Sequence, residues 1–361
     1  MRLGHFATLR PICPTCKIKG RYSVLALKDE KIEADVVVSG FLTCFASDCG
    51  KVYPILFGRP ILVPDVESWL SANIHIILQR DIDDAKIENY LGETISSDLF
   101  FNISRQQQSS YCADHYCEEI AHNNSVNADL PQSSVRRSLD VALAHIPDNQ
   151  LPIIDLGCAV GGTTFHLAHK RNRLTLGIDM NWPLLAIGSK ILDNGLISFP
   201  KRIIGDHYER ISHKASYLGA ELCDFWIADA TCLPFEDNCF GLAIGFNLLD
   251  CVYSAESLLQ EILRIVAVGG GASLASPLDW GSHATPKRNW ISDISGLDKI
   301  ITSSTYRTDV SIKEFVELTP ALEQNWRLPL HERSIIHYLT RAYVLEIAAR
   351  SVDAERDVTN T

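Results

Sequence analysis

One ten-residue stretch limits what this chain can fold into more than any other: Ile153-Ile154-Asp155-Leu156-Gly157-Cys158-Ala159-Val160-Gly161-Gly162. An apolar run ending in an acid, followed by small residues and then amphipathic sequence, reads as strand, tight loop and helix. Glycines there let the backbone turn sharply and approach a ligand closely. The loop is Gly-x-Ala-x-Gly, with Ala159 where a dinucleotide fingerprint carries glycine. From Leu151 onward, short apolar runs alternate with amphipathic segments, the pattern of a parallel sheet covered by helices. Strands are expected over 153–156, 174–178, 224–228, 242–246 and 272–275, and helices over 163–170, 183–193 and 257–266. The pieces 326–330 and 335–347 are expected to form an antiparallel hairpin on that sheet.

Two more of these strands end in an acid. Asp179 follows 174–178, 24 positions after Asp155, and Asp229 follows 224–228 ahead of Ala230 and Leu233-Pro234-Phe235. Three carboxylates then share one edge of the sheet, where open α/β folds bind ligands. Asp179 is placed to accept the two hydroxyls of a ribose, and Asp229 to accept an adenine amine. A turn or helix-capping role is the alternative for each aspartate, and a nicotinamide enzyme is the alternative for the whole loop.

Here the sequence resembles the class I S-adenosylmethionine-dependent methyltransferases, over roughly 151–347. The resemblance implies an α/β fold with a Rossmann-like, seven-stranded methyltransferase sheet. It implies S-adenosyl-L-methionine as cofactor, with Asp155 near its methionine amino group and Gly157 and Gly161 under the methionine and ribose. Asp179 falls on the ribose, and Asp229 with Ala230 at the adenine; Ala159 and Asn247 complete the expected cofactor contacts. The run Val268-Gly269-Gly270-Gly271 is similar to the family's helix-to-strand link, where Pro-Gly-Gly is common.

The methyl acceptor is less legible. Base- and glutamine-methylating relatives often carry Asn-Pro-Pro-Tyr after the fourth strand, where this chain has Asn247-Leu248-Leu249-Asp250. That segment, with Ser276-Pro277-Leu278-Asp279-Trp280, Ala284-Thr285-Pro286, Asn289-Trp290-Ile291 and Leu328-Pro329-Leu330-His331-Glu332-Arg333, resembles the methyltransferase domain of ovothiol biosynthesis. The resemblance implies a small polar acceptor, amino-acid-like or imidazole-like. Methyl transfer needs alignment, exclusion of water and removal of a proton. Asp250 and His283 are the candidate bases, with Asn247, Tyr253, Trp280 and Trp290 lining the acceptor; His207 is a more distant candidate. Core packing is the alternative for both tryptophans.

Ahead of this region, Cys13-Pro14-Thr15-Cys16 and Cys44-Phe45-Ala46-Ser47-Asp48-Cys49 form two knuckles. Two such knuckles bring four thiolates to tetrahedral distance, the arrangement of a closed, structural zinc site. The following Tyr53-Pro54-Ile55-Leu56-Phe57-Gly58-Arg59-Pro60 resembles the Trm112-like zinc ribbons, over about 12–65. Free-standing members of that family activate methyltransferases, and a fused copy is expected to cover an edge of the catalytic sheet. The expected division is a zinc ribbon over 1–65, a helical connecting and capping region over 66–150, and the methyltransferase domain over 151–350. Within the middle region, an Asn-rich turn is expected at 123–127, and the pair Cys112 and Cys117 reads as packing.

Composition sets the remaining bounds. A net charge of −11 argues against broad, unaided binding to nucleic-acid phosphate. It leaves open a local basic face, and with it an RNA or protein substrate. No apolar run is long enough to span a membrane, and a cytoplasmic location is expected. Eleven cysteines in a reducing compartment serve as apolar filler or metal ligands. A non-catalytic scaffold that only binds the cofactor is the third reading, and the oligomeric state stays open.

Overall fold

The structure, a computed structural model, describes residues 1–79, 82, 84–121 and 133–351. The Asn-rich turn expected at 123–127 lies outside them, as do the polar residues after 351.

The N-terminal segment contains α1 (Leu3–Leu9), α2 (Pro14–Ile18), β1 (Leu25–Glu33), β2 (Val36–Cys44), β3 (Val52–Leu56) and β4 (Arg59–Leu62). Strands and turns alone were expected here; α1 and α2 are additional. Helix α2 is the first cysteine knuckle itself, with Cys13 as its N-cap and Pro14 in its first turn. Five helices follow: α3 (Val66–Ile77), α4 (Ala85–Thr94), α5 (Phe100–His115), α6 (Cys117–Ala121) and α7 (Ser134–His145).

Next come β5 (Ile153–Leu156), α8 (Gly162–Arg171), β6 (Thr175–Ile178), α9 (Trp182–Asn194), β7 (Leu196–Ile204), β8 (His207–Lys214), β9 (Cys223–Ala228) and β10 (Phe240–Phe246). The chain then forms α10 (Ala255–Ile265), β11 (Val266–Ser276), α11 (Ile294–Ser303), β12 (Thr305–Arg307), β13 (Ser311–His331) and β14 (Ser334–Ser351). The hairpin β7–β8 forms its own two-stranded sheet and was not foreseen. It alternates apolar with charged residues too irregularly to signal strands.

Helix α10 buries Leu258, Leu259, Ile262 and Leu263 along one face and is capped by Ser254, whose side chain accepts the Ser257 N–H. It passes straight into β11 at Val266, so that strand starts six residues before the expected 272.

The sheet is larger than the seven strands expected. Twelve strands run in the order β1-β2-β3-β4-β9-β6-β5-β10-β11-β14-β13-β12. The expected seven form its centre, from β9 to β13. Strands β9, β6, β5, β10 and β11 pair in parallel, while β14 lies antiparallel to both β11 and β13. The long β13–β14 hairpin is the one foreseen at the C-terminal end, extended in both directions.

The extra strands come mainly from the N-terminal segment. Strand β4 pairs in parallel with β9, Ile61 against Ile227 and Leu62 against Ala228. Strand β9 is buried along its whole length, so an unpaired edge there would leave backbone N–H and C=O groups without partners. Strand β4, also buried throughout, supplies them. The free edge is passed to β1, whose Lys28, Asp29, Glu30, Lys31 and Glu33 keep it solvated.

Side chains reinforce this joint. Ile12 N–H donates to Pro234 O at 2.9 Å. Lys17 of the first knuckle reaches Glu261 at 2.8 Å, and Glu261 also pairs with Arg264 and accepts the Leu233 N–H at 2.6 Å. Glu261 and Arg264 are buried, so each charge depends on the other's presence.

Candidate functional site

The carboxyl ends of the parallel strands β5, β6, β9, β10 and β11 lie along one edge of the sheet, and the loops that leave these ends build the candidate site. Gly157, Ala159 and Gly161 all have left-handed backbone, with φ of 67°, 49° and 87°. A Cβ on Gly161 would fall 2.5 Å from the Phe225 ring, and one on Gly157 would fall 2.8 Å from Leu248. Both glycines are therefore required by packing inside the chain as well as by φ. Ala159 holds its left-handed turn with help from Asp179, which accepts its N–H at 2.9 Å.

Asp155 does not line the surface of the site. It is buried beneath the loop, and its Oδ2 accepts the hydroxyls of Thr163 (2.5 Å) and Thr164 (2.7 Å) in the first turn of α8. Burial pushes its pKa up to about 6, against the pull of the two threonines. The carboxylate thus ties the end of β5 to the start of α8.

Asp179 is half-buried at the end of β6. One oxygen accepts the Ala159 N–H and the other the Asn181 N–H at 2.7 Å. The Met180 N–H also bears on this carboxylate, which keeps acceptor capacity for a ligand hydroxyl. Next to it, the 42% exposed side chain of Met180 offers an apolar surface at the strand end, a feature the sequence did not single out. Asp229 closes β9 in a tight turn, accepting the backbone N–H (2.8 Å) and hydroxyl (2.7 Å) of Thr231 on Oδ1; Ala230 beside it is buried.

At the end of β10, Asn247 adopts φ 52° and extends the ladder by donating its N–H to Ala275 O at 2.8 Å. Its side-chain Oδ1 is buried with no hydrogen-bond partner. Asp250 is 2% exposed; Oδ2 accepts the Asp279 N–H at 2.7 Å, while Oδ1 has no hydrogen bond of ordinary geometry. Burial raises the Asp250 pKa. Two orphaned acceptors at one strand end are rare in a folded protein and mark a place where a ligand's donors belong.

The other acceptor-site candidates brace the connection after β11. Trp280 donates its indole N–H to Ile291 O (3.1 Å), and Trp290 donates to Thr285 O (2.8 Å). The Thr285 hydroxyl in turn donates to Val252 O at 2.6 Å. Tyr253 is exposed, its hydroxyl accepting from Arg288 at 2.7 Å. His283 lies exposed with its ring over Gly281, and no described hydrogen bond joins it to the strand ends. His207 sits at the start of β8 beside Glu93, 3.3 Å away, in the hairpin and not among the strand ends.

Two tyrosines missed in the sequence complete the site. Tyr111 comes from α5, and its phenol pKa is raised by burial and then by Cys251, Asp179, Tyr338 and Asp250. Tyr338 comes from β14 and donates to Asp279 Oδ2 at 3.0 Å; burial and Asp279 push it up to about 12. Nothing local marks either position, because both arrive from elements distant in sequence.

Helix α5 also clamps the glycine loop. Tyr116, just after its end, donates its hydroxyl to Val160 O at 2.5 Å. His115 packs over Gly162, is 6% exposed, and its Nδ1 has no partner. Burial holds the imidazole neutral, pushing its pKa down from 6.5 to about 3. The unfolded chain therefore binds a proton that the folded one refuses between those values. Stability from this group is full above pH 6.5 and is lost as pH falls.

Asp155 and Asp114, both raised to about 6, act in the opposite sense over part of that range. A comparison of variants separates the two effects. His115→Gln should gain on the wild type by about 1.4 kcal/mol per pH unit as pH falls below 6.5. Denaturant unfolding at several pH values measures it, and a difference that stays constant would refute a buried neutral His115.

The four cysteines foreseen as ligands come together. Cys13, Cys16 and Cys44 are buried, Cys49 is half-buried, and all four Sγ atoms lie within 4.8 Å of one another. The Cys13–Cys49 and Cys16–Cys44 separations are 3.8 and 3.7 Å. A tetrahedral zinc with Zn–S bonds of about 2.3 Å sets its sulfurs about 3.8 Å apart, so the donor set fits that ion. Tyr53 OH at 3.2 Å from Cys13 and Ser23 Oγ at 3.2 Å from Cys44 supply the second shell of polar contacts that thiolate ligands attract. Among the described residues this is the single group of its kind; Cys112 and Cys117 are buried in the helical region and belong to no such cluster.

Comparison with known proteins finds methyltransferases. Residues 154–274 match a family described as a methyltransferase domain. Ajmaline N-methyltransferase of Rauvolfia serpentina is 26% identical over 144 residues, 38% of this chain and 42% of that protein. The chloroplastic tocopherol O-methyltransferase of Arabidopsis thaliana is 27% identical over 118 residues, 33% of this chain and 28% of that protein. The chain thus spans less than half the length of these relatives. Among solved structures, phosphoethanolamine N-methyltransferase 1 of Haemonchus contortus, bound to phosphoethanolamine and S-adenosylhomocysteine, aligns with a TM-score of 0.42 and 13% identity, covering 74% of this chain and 50% of that one.

Proposed function

We propose that the chain is an S-adenosylmethionine-dependent methyltransferase acting on a small polar acceptor. The observation that carries the proposal is the coincidence, at one sheet edge, of a half-buried Asp179 and the Oδ1 atoms of Asn247 and Asp250, which have no hydrogen bond of ordinary geometry. When bound, S-adenosyl-L-methionine supplies an electrophilic methyl group on a sulfonium. Asp179 would accept the ribose hydroxyls, Met180 would lie against the adenine, and Asp229 with Ala230 would close its far side. The 157–161 loop would hold the remainder, kept in shape from below by Asp155. Asn247 and Asp250 would take donors from the ligands that meet there, and Asp250 is the group placed to hold an acceptor's proton.

The N-terminal segment fits the Trm112-like reading, with structural zinc held by Cys13, Cys16, Cys44 and Cys49. The division into segments at about residues 65 and 150 is read from the sequence, with β4 lying in the catalytic sheet. No helix among the described residues is long and apolar enough to cross a membrane.

A second reading, in which the cysteine segment activates or docks a methyltransferase for RNA or protein, draws on the Lys17–Glu261–Leu233 chain of contacts. That chain leads from the first knuckle to the stretch just after Asp229. Calorimetry with S-adenosylmethionine, then turnover on a panel of imidazole and thiol amino acids and on bulk RNA, tests both readings. Binding with small-molecule turnover supports the first, binding with RNA turnover the second, and absence of binding removes both. Asp250→Asn should cut turnover while sparing cofactor affinity.

A further inference from the structure

The surroundings of Asp250 carry an excess of acidic groups with no cation paired to them among the described residues. Buried glutamates sit against strong cations, Glu88 against Arg210 at 2.7 Å and Glu261 against Lys17 at 2.8 Å and Arg264 at 2.9 Å, while buried Asp155 is held by the Thr163 and Thr164 hydroxyls and Asp114 by the Ser134 N–H. Asp250 is equally buried, yet makes no ion pair with a described residue. The charges that act on the groups around it are acidic too. Asp279 acts on Asp250, Asp250 and Asp179 act on Cys251, and Asp279 and Asp250 act on Tyr338.

The hydrogen-bond pattern gives the same answer. Asp250 Oδ1 has no hydrogen bond of ordinary geometry, and the nearby donors that act on the carboxylate besides Asp279 are the Ser276 hydroxyl and the Asp250 backbone N–H, neither of them charged. The Asp279 N–H is already taken by Oδ2, and the Tyr338 hydroxyl is already given to Asp279. The protein therefore presents acceptors and negative charge here. An incoming anion would meet repulsion from Asp250 and Asp279; an incoming N–H, above all a charged one, would satisfy both deficits.

We propose that the acceptor is an amine or a related nitrogen base, held by an N–H donated to Asp250 Oδ1, and that the site excludes carboxylates at this position. The proposal rests on the methyltransferase reading above. It narrows "small and polar" to a nitrogen compound that is cationic or N–H-bearing where it meets Asp250.

Calorimetry on the full chain saturated with S-adenosylhomocysteine tests it with charge-matched probes. Histamine is compared with imidazolepropionate, and tyramine with hydroxyphenylpropionate. Each amine should bind at least about tenfold more tightly than its carboxylate counterpart. Asp250→Asn should weaken the amines by about tenfold or more and leave S-adenosylhomocysteine affinity within about twofold. If that variant does not fold, the wild-type ratios decide alone. Carboxylates that bind as well as the amines would overturn the proposal, as would a product-saturated chain that binds none of the four probes. Failure to bind S-adenosylhomocysteine is a different result: it removes the methyltransferase reading, and this proposal with it.

Discussion

Asp179→Ala should lower S-adenosylhomocysteine affinity by roughly 30- to 100-fold, the loss expected when a charged acceptor serving two ligand hydroxyls is deleted. The geometry adds a second contribution. The same carboxylate accepts the N–H of Ala159 at 2.9 Å and of Asn181 at 2.7 Å, so its removal leaves the loop and the start of α9 without their common anchor. Ala159 at φ 49° would lose what holds its left-handed turn. Asp179→Asn keeps one carbonyl acceptor but forces an NH2 group towards one of two backbone donors, and should fall between alanine and wild type. Calorimetry reads the affinities, and the thermal transition of each variant separates a binding loss from unfolding. An alanine variant within twofold of wild type would remove Asp179 from the cofactor site.

Cys13→Ser should abolish metal binding and destabilise the chain by several kcal/mol, a fall in Tm of about 10 °C for a protein of this size. Cys13 is singled out because its sulfur has three further duties. It accepts the Cys16 N–H that starts α2, contacts the Tyr53 hydroxyl at 3.2 Å, and lies 3.8 Å from Cys49. Serine preserves the cap geometry in part but not the soft ligand that zinc prefers. Metal analysis should find one zinc per wild-type chain and none in the variant. One zinc retained by the variant would refute this ligand set.

How far the sequence leads can be argued element by element. The strand–loop–helix at 153–162 was legible because small residues, an acid and periodic apolar residues all mark the same unit locally. The Cys13–Cys16 and Cys44–Cys49 pairs were legible because thiols at knuckle spacing have few other uses. What escaped was set by distance. Tyr111 and Tyr338 reach the site from α5 and β14, and no pattern within either segment distinguishes a site residue from a core one. The sequence does not distinguish Asp155 from Asp179, since each closes a strand of the parallel sheet. The difference lies in Thr163 and Thr164, whose hydroxyls draw it inward. The N-terminal segment was expected to cover an edge of the sheet, but its merging into one twelve-stranded ladder was not legible: Arg59-Pro60-Ile61-Leu62 looks the same whether it ends a small module or extends a neighbour's strands.

That shared ladder alters what the N-terminal segment is. Backbone bonds run without a seam from β3 through β4 and β9 to β6, so the rigidity of the Asp229 turn is transmitted from both sides of the sheet. A cut at residue 65 would separate sequence that looks modular, but it would also expose the flank of β9 to any other strand able to pair with it. The segment therefore acts as a stopper against misassembly, keeping the edge nearest the Asp229 turn from becoming adhesive.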